Sequence, residues 1–112
     1  TVLVDVPPDA RILAEEVFGP VAPVVRFDDV DEAVAAANDT IHGLVSYLYT
    51  GDLAEGLRIA RRLRAGMVAV NRGLVSDPAA PFGGVKQSGV GREGSHEGLL
   101  EYVDVKYVAT TW

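Results

Sequence analysis

The sequence predicts an α/β fold with a mainly parallel sheet and helices on its faces. Apolar stretches typical of strands alternate with stretches of helical periodicity, in the order strand, helix, strand, helix, strand. The connections between successive strands are too long for hairpins, which favours βαβ crossovers. In such sheets ligands bind at the carboxyl ends of the strands, so we look for a site there.

The first third of the chain predicts two short strands around a brief helix. Residues 2–6 are strand-like and stop at Pro7 and Pro8, after which Asp9 is positioned to cap a helical turn over 10–14. Residues 21–27 form the next candidate strand. Pro23 lies inside it, so we expect an edge strand or a bulge.

The middle of the chain predicts two helices that alternate with buried strands. Acidic residues at 28–32 mark a helix start, and Val30, Ala33, Val34 and Ala37 form one apolar stripe. Residues 45–49 predict a second buried strand. The next helix has Asp52 and Glu55 at capping-box spacing, an apolar stripe at Leu53, Leu57, Ala60 and Leu63 or Arg64, and a stop at Gly66.

The last third predicts a strand, a long loop, a short helix and a terminal strand. The apolar run 67–70 ends at Asn71, and the loop 71–93 that follows is rich in Gly and Pro, so we interpret it as lining a site. Residues 95–101 predict a short helix. Residues 102–110 alternate with period two, which indicates a half-exposed strand able to join the sheet edge of another chain.

Composition excludes several classes of function. The formal charge of −6 argues against a nucleic-acid or anionic-membrane partner, and no apolar run is long enough to span a bilayer. The arginines at 58, 61, 62 and 64 fall in the last turns of a helix, where cations are favourable. The chain has no Cys and only two His, far apart, so we expect no metal site. We expect a cytoplasmic protein.

Considered alone, the motifs with possible chemistry are weak. Residues 89–94 match the letters of the dinucleotide fingerprint, but no strand leads into Gly89, so we interpret them as a turn. Glu15 and Glu16 are adjacent and are most simply solvated, although an acid–base pair is the alternative. Ser76 has no nearby His, so a catalytic triad has no support.

Three stretches together resemble the C-terminal part of NAD(P)-dependent aldehyde dehydrogenases. They are EEVFGP at 15–20, NDTIHGL at 38–44 and PFGGVKQSG at 81–89, and the match is collinear over essentially the whole chain. Three further stretches, SYLYT at 46–50, NRGLVS at 71–76 and GREGS at 91–95, are most similar to the succinate-semialdehyde dehydrogenase branch.

The resemblance implies roles for four residues that contact small molecules. Glu16 matches the residue that hydrogen-bonds the ribose hydroxyls of the nicotinamide nucleotide, and Phe18 matches an aromatic beside the nicotinamide. Phe82 matches a wall of the aldehyde channel, and Ser76 matches the hydroxyl that contacts the remote carboxylate of a semialdehyde. Arg72 stands where the branch often has an acid; it either assists a carboxylate substrate or points to solvent, and we favour solvent.

The resemblance also implies a division of labour between this chain and other polypeptide. In the family a Cys thiolate attacks the aldehyde and a Glu activates water, and both residues, with most of the NAD or NADP site, lie upstream of the matched region. The strand-like start without Met suggests a chain cut from something longer. We therefore expect residues 1–101 to belong to a catalytic domain and the isolated chain to be inactive.

Residues 102–112 match the tail strand through which family members form homo-oligomers, so we expect a homo-oligomer. Two alternatives remain. One is a non-catalytic truncated module that associates through its tail strand. The other is a small dinucleotide binder that uses residues 89–94.

Overall fold

The computed structural model describes all of the chain from Thr1 to Trp112 and divides it into two compact units, Thr1–Thr40 and Ile41–Trp112. The elements of the first unit are β1 (Val2–Leu3), α1 (Arg11–Ala14), β2 (Ala22–Pro23) and α2 (Val30–Asn38). Those of the second are β3 (Val45–Leu48), α3 (Leu53–Ala60), β4 (Met67–Val70), a 3₁₀ helix (Lys86–Ser88) and α4 (Ser95–Leu100).

The first unit contains a two-stranded parallel sheet that is shorter than predicted. Val2 pairs with Ala22 and Leu3 with Pro23, whereas the sequence predicted strands over 2–6 and 21–27. Asp5 has a φ of 53°, which is incompatible with an extended strand and explains why β1 ends early. Pro23 is tolerated because each strand of a two-stranded sheet is an edge.

In the first unit, the N-cap of α2 agrees with the sequence-based prediction, whereas that of α1 does not. Asp29 Oδ1 accepts hydrogen bonds from Asp31 N at 2.7 Å and Glu32 N at 3.3 Å, which confirms the acidic helix start. Within the apolar stripe of α2, Val34 is buried. The predicted cap of α1 by Asp9 is wrong, because Ala10 occupies the N-cap position and no side chain caps the helix.

The second unit contains the predicted βαβ crossover. β3 and β4 are parallel, with Val45 opposite Met67 and Leu48 opposite Val70, and α3 connects them. The side chain of Asp52 caps α3 by accepting from Ala54 N at 2.8 Å and Glu55 N at 3.2 Å. The reciprocal half of the predicted capping box is replaced, since Asp52 N donates to Thr50 Oγ1 at 3.1 Å instead of to Glu55.

Helix α3 packs on the sheet through a small residue and not through its leucines. Leu53 and Leu57 are 62% and 51% exposed, whereas Gly56 is buried. A Cβ at Gly56 would lie 2.8 Å from Thr50 Cγ2 and 3.3 Å from Val70 Cγ1, so Gly permits the close approach of helix and strand. The helix ends at Ala60, before the predicted stop at Gly66, because Arg62 N and Leu63 N bond to carbonyls three residues back.

The end of the chain contains the predicted helix but no strand. α4 covers Ser95–Leu100, as expected. Residues 102–112 form no strand, and all of them are exposed, Val105 at 98%. The expected half-buried pattern is therefore not present in this chain alone, because a strand is stabilised only by pairing with another strand.

Both sheets are small, parallel and accompanied by helices, so the predicted α/β class is confirmed. Only Val34 and Ala69 are buried apolar residues. None of the helices has both the length and the apolar character needed to cross a membrane.

Candidate functional site

The loop that carries the candidate substrate residues begins at Asn71, where the carboxyl ends of β3 and β4 meet. Asn71 has a φ of 54°, a left-handed conformation that Asn tolerates better than most residues. Its side-chain amide bonds to the backbone of Thr50 in the way that a neighbouring strand would. Oδ1 accepts from Thr50 N at 2.9 Å, and Nδ2 donates to Thr50 O at 2.9 Å. Asn71 N also donates to Leu48 O at 2.8 Å, so the start of the loop is joined by one hydrogen bond to β3 and by two to Thr50 just after it.

Phe82 is fixed by backbone pairing at the opposite end of the loop. Phe82 N donates to Glu93 O at 2.8 Å, and Glu93 N donates to Phe82 O at 2.7 Å. The two residues thus close an antiparallel bridge beneath residues 83–92. Because the backbone N–H and C=O of Phe82 are both hydrogen-bonded, the backbone that carries the half-buried phenyl ring is held in place.

Arg92 holds the turn inside that bridge. Its Nη1 donates to the carbonyl oxygens of Gly84 at 2.7 Å, Gly91 at 2.8 Å and Val90 at 3.3 Å. The backbone N of Arg92 donates to Glu101 Oε1 at 3.1 Å. A charged donor makes stronger bonds than a neutral one, so this guanidinium acts as a structural clamp. Sequence reasoning did not assign this role to Arg92.

Two of the three motif segments are bonded to each other. Gly43 N donates to Ser88 Oγ at 2.9 Å, and the Gly43 carbonyl accepts from Val85 N and from Gly66 N, each at 2.9 Å. Gln87 N donates to Ile41 O at 3.0 Å. A Cβ at Gly66 would overlap the Gly83 carbonyl oxygen, so Gly is required there. These contacts give a physical reason why the segments 38–44 and 81–89 occur together.

Residues 89–94 do not form a dinucleotide-binding loop, although their sequence matches the glycine pattern of the dinucleotide fingerprint. The 3₁₀ helix Lys86–Ser88 leads into Gly89, in place of the strand that the fingerprint requires. Gly89 and Gly94 have φ values of 94° and 68°, which identifies them as turn positions. This agrees with our interpretation of the motif as a turn.

Phe82 borders two cavities in the second unit. The smaller one, of about 240 Å³, has six apolar residues and one cation in its wall: Met67, Val68, Val75, Ala80, Pro81, Phe82 and Arg72. The larger one, of about 350 Å³, is lined mainly by glycines and by Arg92, Glu93 and Glu101. We expected Arg72 to point to solvent. It is exposed, but it also borders the smaller cavity, and its guanidinium forms no hydrogen bond or ion pair within the chain.

Ser76 follows Val75 of the smaller cavity and is itself exposed. Its hydroxyl has no hydrogen-bond partner in the chain. The backbone turns directly after it, because Asp77 Oδ1 accepts from Ala79 N at 2.9 Å and Asp77 O accepts from Ala80 N at 3.0 Å. This Asx turn returns the chain to Pro81 and Phe82, so the predicted substrate residues Ser76 and Phe82 lie on the same loop.

The predicted cofactor residues Glu16 and Phe18 lie in the first unit. Arg11 donates to both carboxylate oxygens of Glu15, at 2.9 Å and 2.8 Å, whereas Glu16 is exposed and has no partner. The guanidinium of Arg11 lowers the pKa of Glu15 below its ordinary value. The two adjacent acids are therefore distinct: one belongs to an ion pair, and the other is available to a ligand.

Phe18 is the central residue of a tight turn in which Gly19 N donates to Val17 O at 2.8 Å. The turn leaves the phenyl ring 97% exposed. An exposed aromatic held by a turn presents a flat apolar surface to whatever contacts it. His42 and His96 are both exposed, and no group of three His, Cys, Asp or Glu residues is placed to hold a metal ion.

Comparison with known proteins identifies a single family. The model of the aldehyde dehydrogenase family matches residues 1–108. A probable succinate-semialdehyde dehydrogenase [NADP(+)] of Sinorhizobium fredii is 55% identical over 108 residues, which are 96% of this chain and 22% of the relative. A glutarate-semialdehyde dehydrogenase of Pseudomonas aeruginosa is 53% identical over the same shares. The chain thus spans about a fifth of the length of the curated relatives it matches.

Solved structures agree with these relatives. The succinate-semialdehyde dehydrogenase from Burkholderia pseudomallei has a TM-score of 0.90 at 53% identity, with 96% of this chain and 22% of that one covered. An NAD+ complex of an aldehyde dehydrogenase from Bacillus cereus has a TM-score of 0.90 at 42% identity, with 94% and 21% covered.

Proposed function

Because the chain belongs to the aldehyde dehydrogenase family, we propose that it is the C-terminal portion of an NAD(P)-dependent enzyme that oxidises a semialdehyde to the carboxylate. Succinate semialdehyde is the first choice of substrate, and relatives named for succinate and for glutarate semialdehyde support this class. The observation that carries the proposal is the loop 71–93, from which Arg72, Val75 and Phe82 line an apolar cavity and in which Ser76 directly follows Val75.

The chain offers candidate contacts for the cofactor and for the substrate. Glu16 would accept hydrogen bonds from the nicotinamide ribose hydroxyls, a task that suits a carboxylate with no partner of its own. Phe18 would limit where the nicotinamide ring sits. Phe82 would exclude water from the aldehyde channel and orient the substrate, while the Ser76 hydroxyl would donate to its remote carboxylate. NAD or NADP, when bound, accepts the hydride.

The surface of the chain supports its being part of a larger folded protein. Only two apolar residues are buried, whereas large apolar side chains such as Phe18, Tyr102 and Val105 are 97%, 90% and 98% exposed. A stable soluble domain of this length normally buries far more. We propose that residues 1–101 pack on further polypeptide that supplies the Cys nucleophile and most of the cofactor site. We further propose that residues 102–112 add a strand to a neighbouring subunit in a homo-oligomer.

The proposal is tested by transplanting this chain into a solved relative. Residues 1–108 replace the matching segment of the Burkholderia pseudomallei protein, and formation of the reduced nicotinamide is followed with succinate semialdehyde as substrate. We expect the chimera to turn over the substrate and the 112-residue chain alone to be inactive. A chimera that folds and binds the cofactor but does not oxidise the semialdehyde would refute the assignment.

Two variants of the chimera test the residue roles. Glu16→Ala should slow hydride transfer in a single turnover without weakening aldehyde binding, and unchanged single-turnover kinetics would count against its contact with the ribose. Glu15→Ala is the matched control, because the carboxylate of Glu15 is already paired with Arg11 and is not assigned to the cofactor.

A second function is favoured by the exposed tail. Tyr107 is 88% exposed, and residues 102–112 form no strand pairing in this chain, as expected for a non-catalytic module that associates through a tail strand. Sedimentation of the 112-residue chain, alone and mixed with a full-length relative, separates the two proposals. Stable self-association lost on deletion of residues 102–112, together with an inactive chimera, would favour the module.

A further inference from the structure

Arg72 is the one polar residue among those that line the apolar cavity of about 240 Å³, where it stands with Val75 and Phe82. No Asp or Glu is among the lining residues. The guanidinium of Arg72 forms no hydrogen bond or ion pair with the chain, so all of its donors remain open to a ligand.

The position of Arg72 is set by the strand end and not by a mobile stretch of chain. Arg72 directly follows Asn71, whose backbone and side chain make three hydrogen bonds to β3 and the residues after it. Carboxyl ends of parallel strands are where ligands bind in α/β sheets. The side chain therefore extends from a well-held backbone position at the edge of the cavity.

The second cavity provides a contrast in chemistry. Its arginine, Arg92, already donates to three carbonyl oxygens, and Glu93 and Glu101 contribute negative charge to its wall. An anionic ligand would be repelled there and has no free cation to bind. Of the two cavities that Phe82 borders, only the smaller one combines an apolar wall with an open positive charge.

We infer that Arg72 anchors the remote carboxylate of the substrate, while the apolar wall of the cavity contacts the short aliphatic body. A guanidinium can bind both oxygens of a carboxylate, which a single hydroxyl cannot do. The volume suits a small aliphatic acid more than a drug-sized ligand. The inference rests on the proposed function, and it assigns Arg72 a role in substrate specificity.

The test measures binding of a carboxylate to the folded chimera directly. Butyrate serves as the probe and butyramide as its uncharged counterpart, and binding is followed by calorimetry. We expect butyrate to bind saturably and butyramide to give no binding signal. Arg72→Gln should weaken butyrate binding by about tenfold or more, and Arg72→Lys should retain part of it.

The matched control is Arg58→Gln, which removes a guanidinium from α3 and should leave butyrate binding unchanged. Equal butyrate affinity in the unsubstituted chimera and in Arg72→Gln, or equal binding of butyramide, would overturn the inference. Loss of butyrate binding in Arg58→Gln would show only general attraction to positive charge and would also overturn it. The proposed function is judged by a separate result. If the chimera oxidises succinate semialdehyde and Arg72→Gln does so equally well, this inference is overturned and the proposed function stands.

Discussion

The side chain of Asn71 should contribute measurably to stability, because it makes two hydrogen bonds from a left-handed backbone conformation. Its contacts to Thr50 N and Thr50 O are both 2.9 Å, and both are exposed to solvent. Water replaces part of what is lost in such bonds, so we take the lower half of the usual range, about 0.5–1 kcal/mol for each. An Ala at a φ of 54° adds roughly 1 kcal/mol of backbone strain.

Asn71→Ala should therefore lower the free energy of unfolding by about 2–3 kcal/mol. Asn71→Gly is the informative comparison, because it also removes both bonds but adopts positive φ without strain. We expect Asn71→Gly to be about 1 kcal/mol more stable than Asn71→Ala. Asn71→Asp keeps the acceptor for Thr50 N but places a second oxygen against Thr50 O, so its stability should lie below that of wild type.

The assay is urea unfolding of the chimera followed by circular dichroism, with hydrogen exchange at the Thr50 amide as a local readout. Faster exchange at Thr50 in all three variants would place the loss at this contact. The reasoning is refuted if Asn71→Ala and Asn71→Gly are equally stable, or if both match wild type. Equality would mean that neither the left-handed conformation nor the amide group stabilises the junction of β3 with the loop.

Three further predictions concern the loop, the substrate and the first helix. Ser88→Ala leaves Gly43 N without its part-buried acceptor and should cost about 1–2 kcal/mol of unfolding free energy, whereas no change in thermal midpoint would contradict the proposed link between the motifs. In the chimera, Ser76→Ala should raise KM for succinate semialdehyde by about fivefold or more and leave butanal unaffected; equal effects on both would remove the substrate assignment. Because Arg11 lowers the pKa of Glu15, their pair stabilises α1 above the unfolded-state pKa of that carboxyl, and this contribution is lost as pH falls through the lower folded-state pKa. Arg11→Gln should return the Glu15 pKa toward its ordinary value in an NMR titration, and an unmoved titration would exclude the ion pair.

Local rules were sufficient to predict several elements. The acidic residues predicted at the starts of α2 and α3 include the N-caps, Asp29 and Asp52. A short carboxylate can accept from the free N–H groups of the first helical turn without help from the rest of the fold. The continuous apolar run at 67–70 is strand β4, as predicted. Asn71, as a strand-ending residue that tolerates turn geometry, indeed adopts positive φ.

Packing decided the elements that were predicted wrongly or incompletely. The helical period assigned Leu53 and Leu57 to the apolar stripe of α3. The close approach of α3 to the sheet occurs instead at Gly56, which has no side chain and so contributes nothing to a hydrophobic pattern. The cap at Asp52 is completed by Thr50 because β3 ends nearby, a contact that no i to i+3 spacing encodes. The alternating pattern of residues 102–110 indicates only that they favour a strand. A strand forms when the edge of another strand is available to pair with it.

For the candidate site, the sequence by itself determined the family, the loop and the residue types, because three collinear motifs and a Gly-rich stretch after a buried strand are visible without coordinates. Only the tertiary structure decided that Arg72 borders an apolar cavity and that Arg92 is already bonded to carbonyl oxygens. The physical reason is that a guanidinium has the same charge in both places. Whether it can bind a ligand depends on which groups the folded chain has brought within hydrogen-bonding distance.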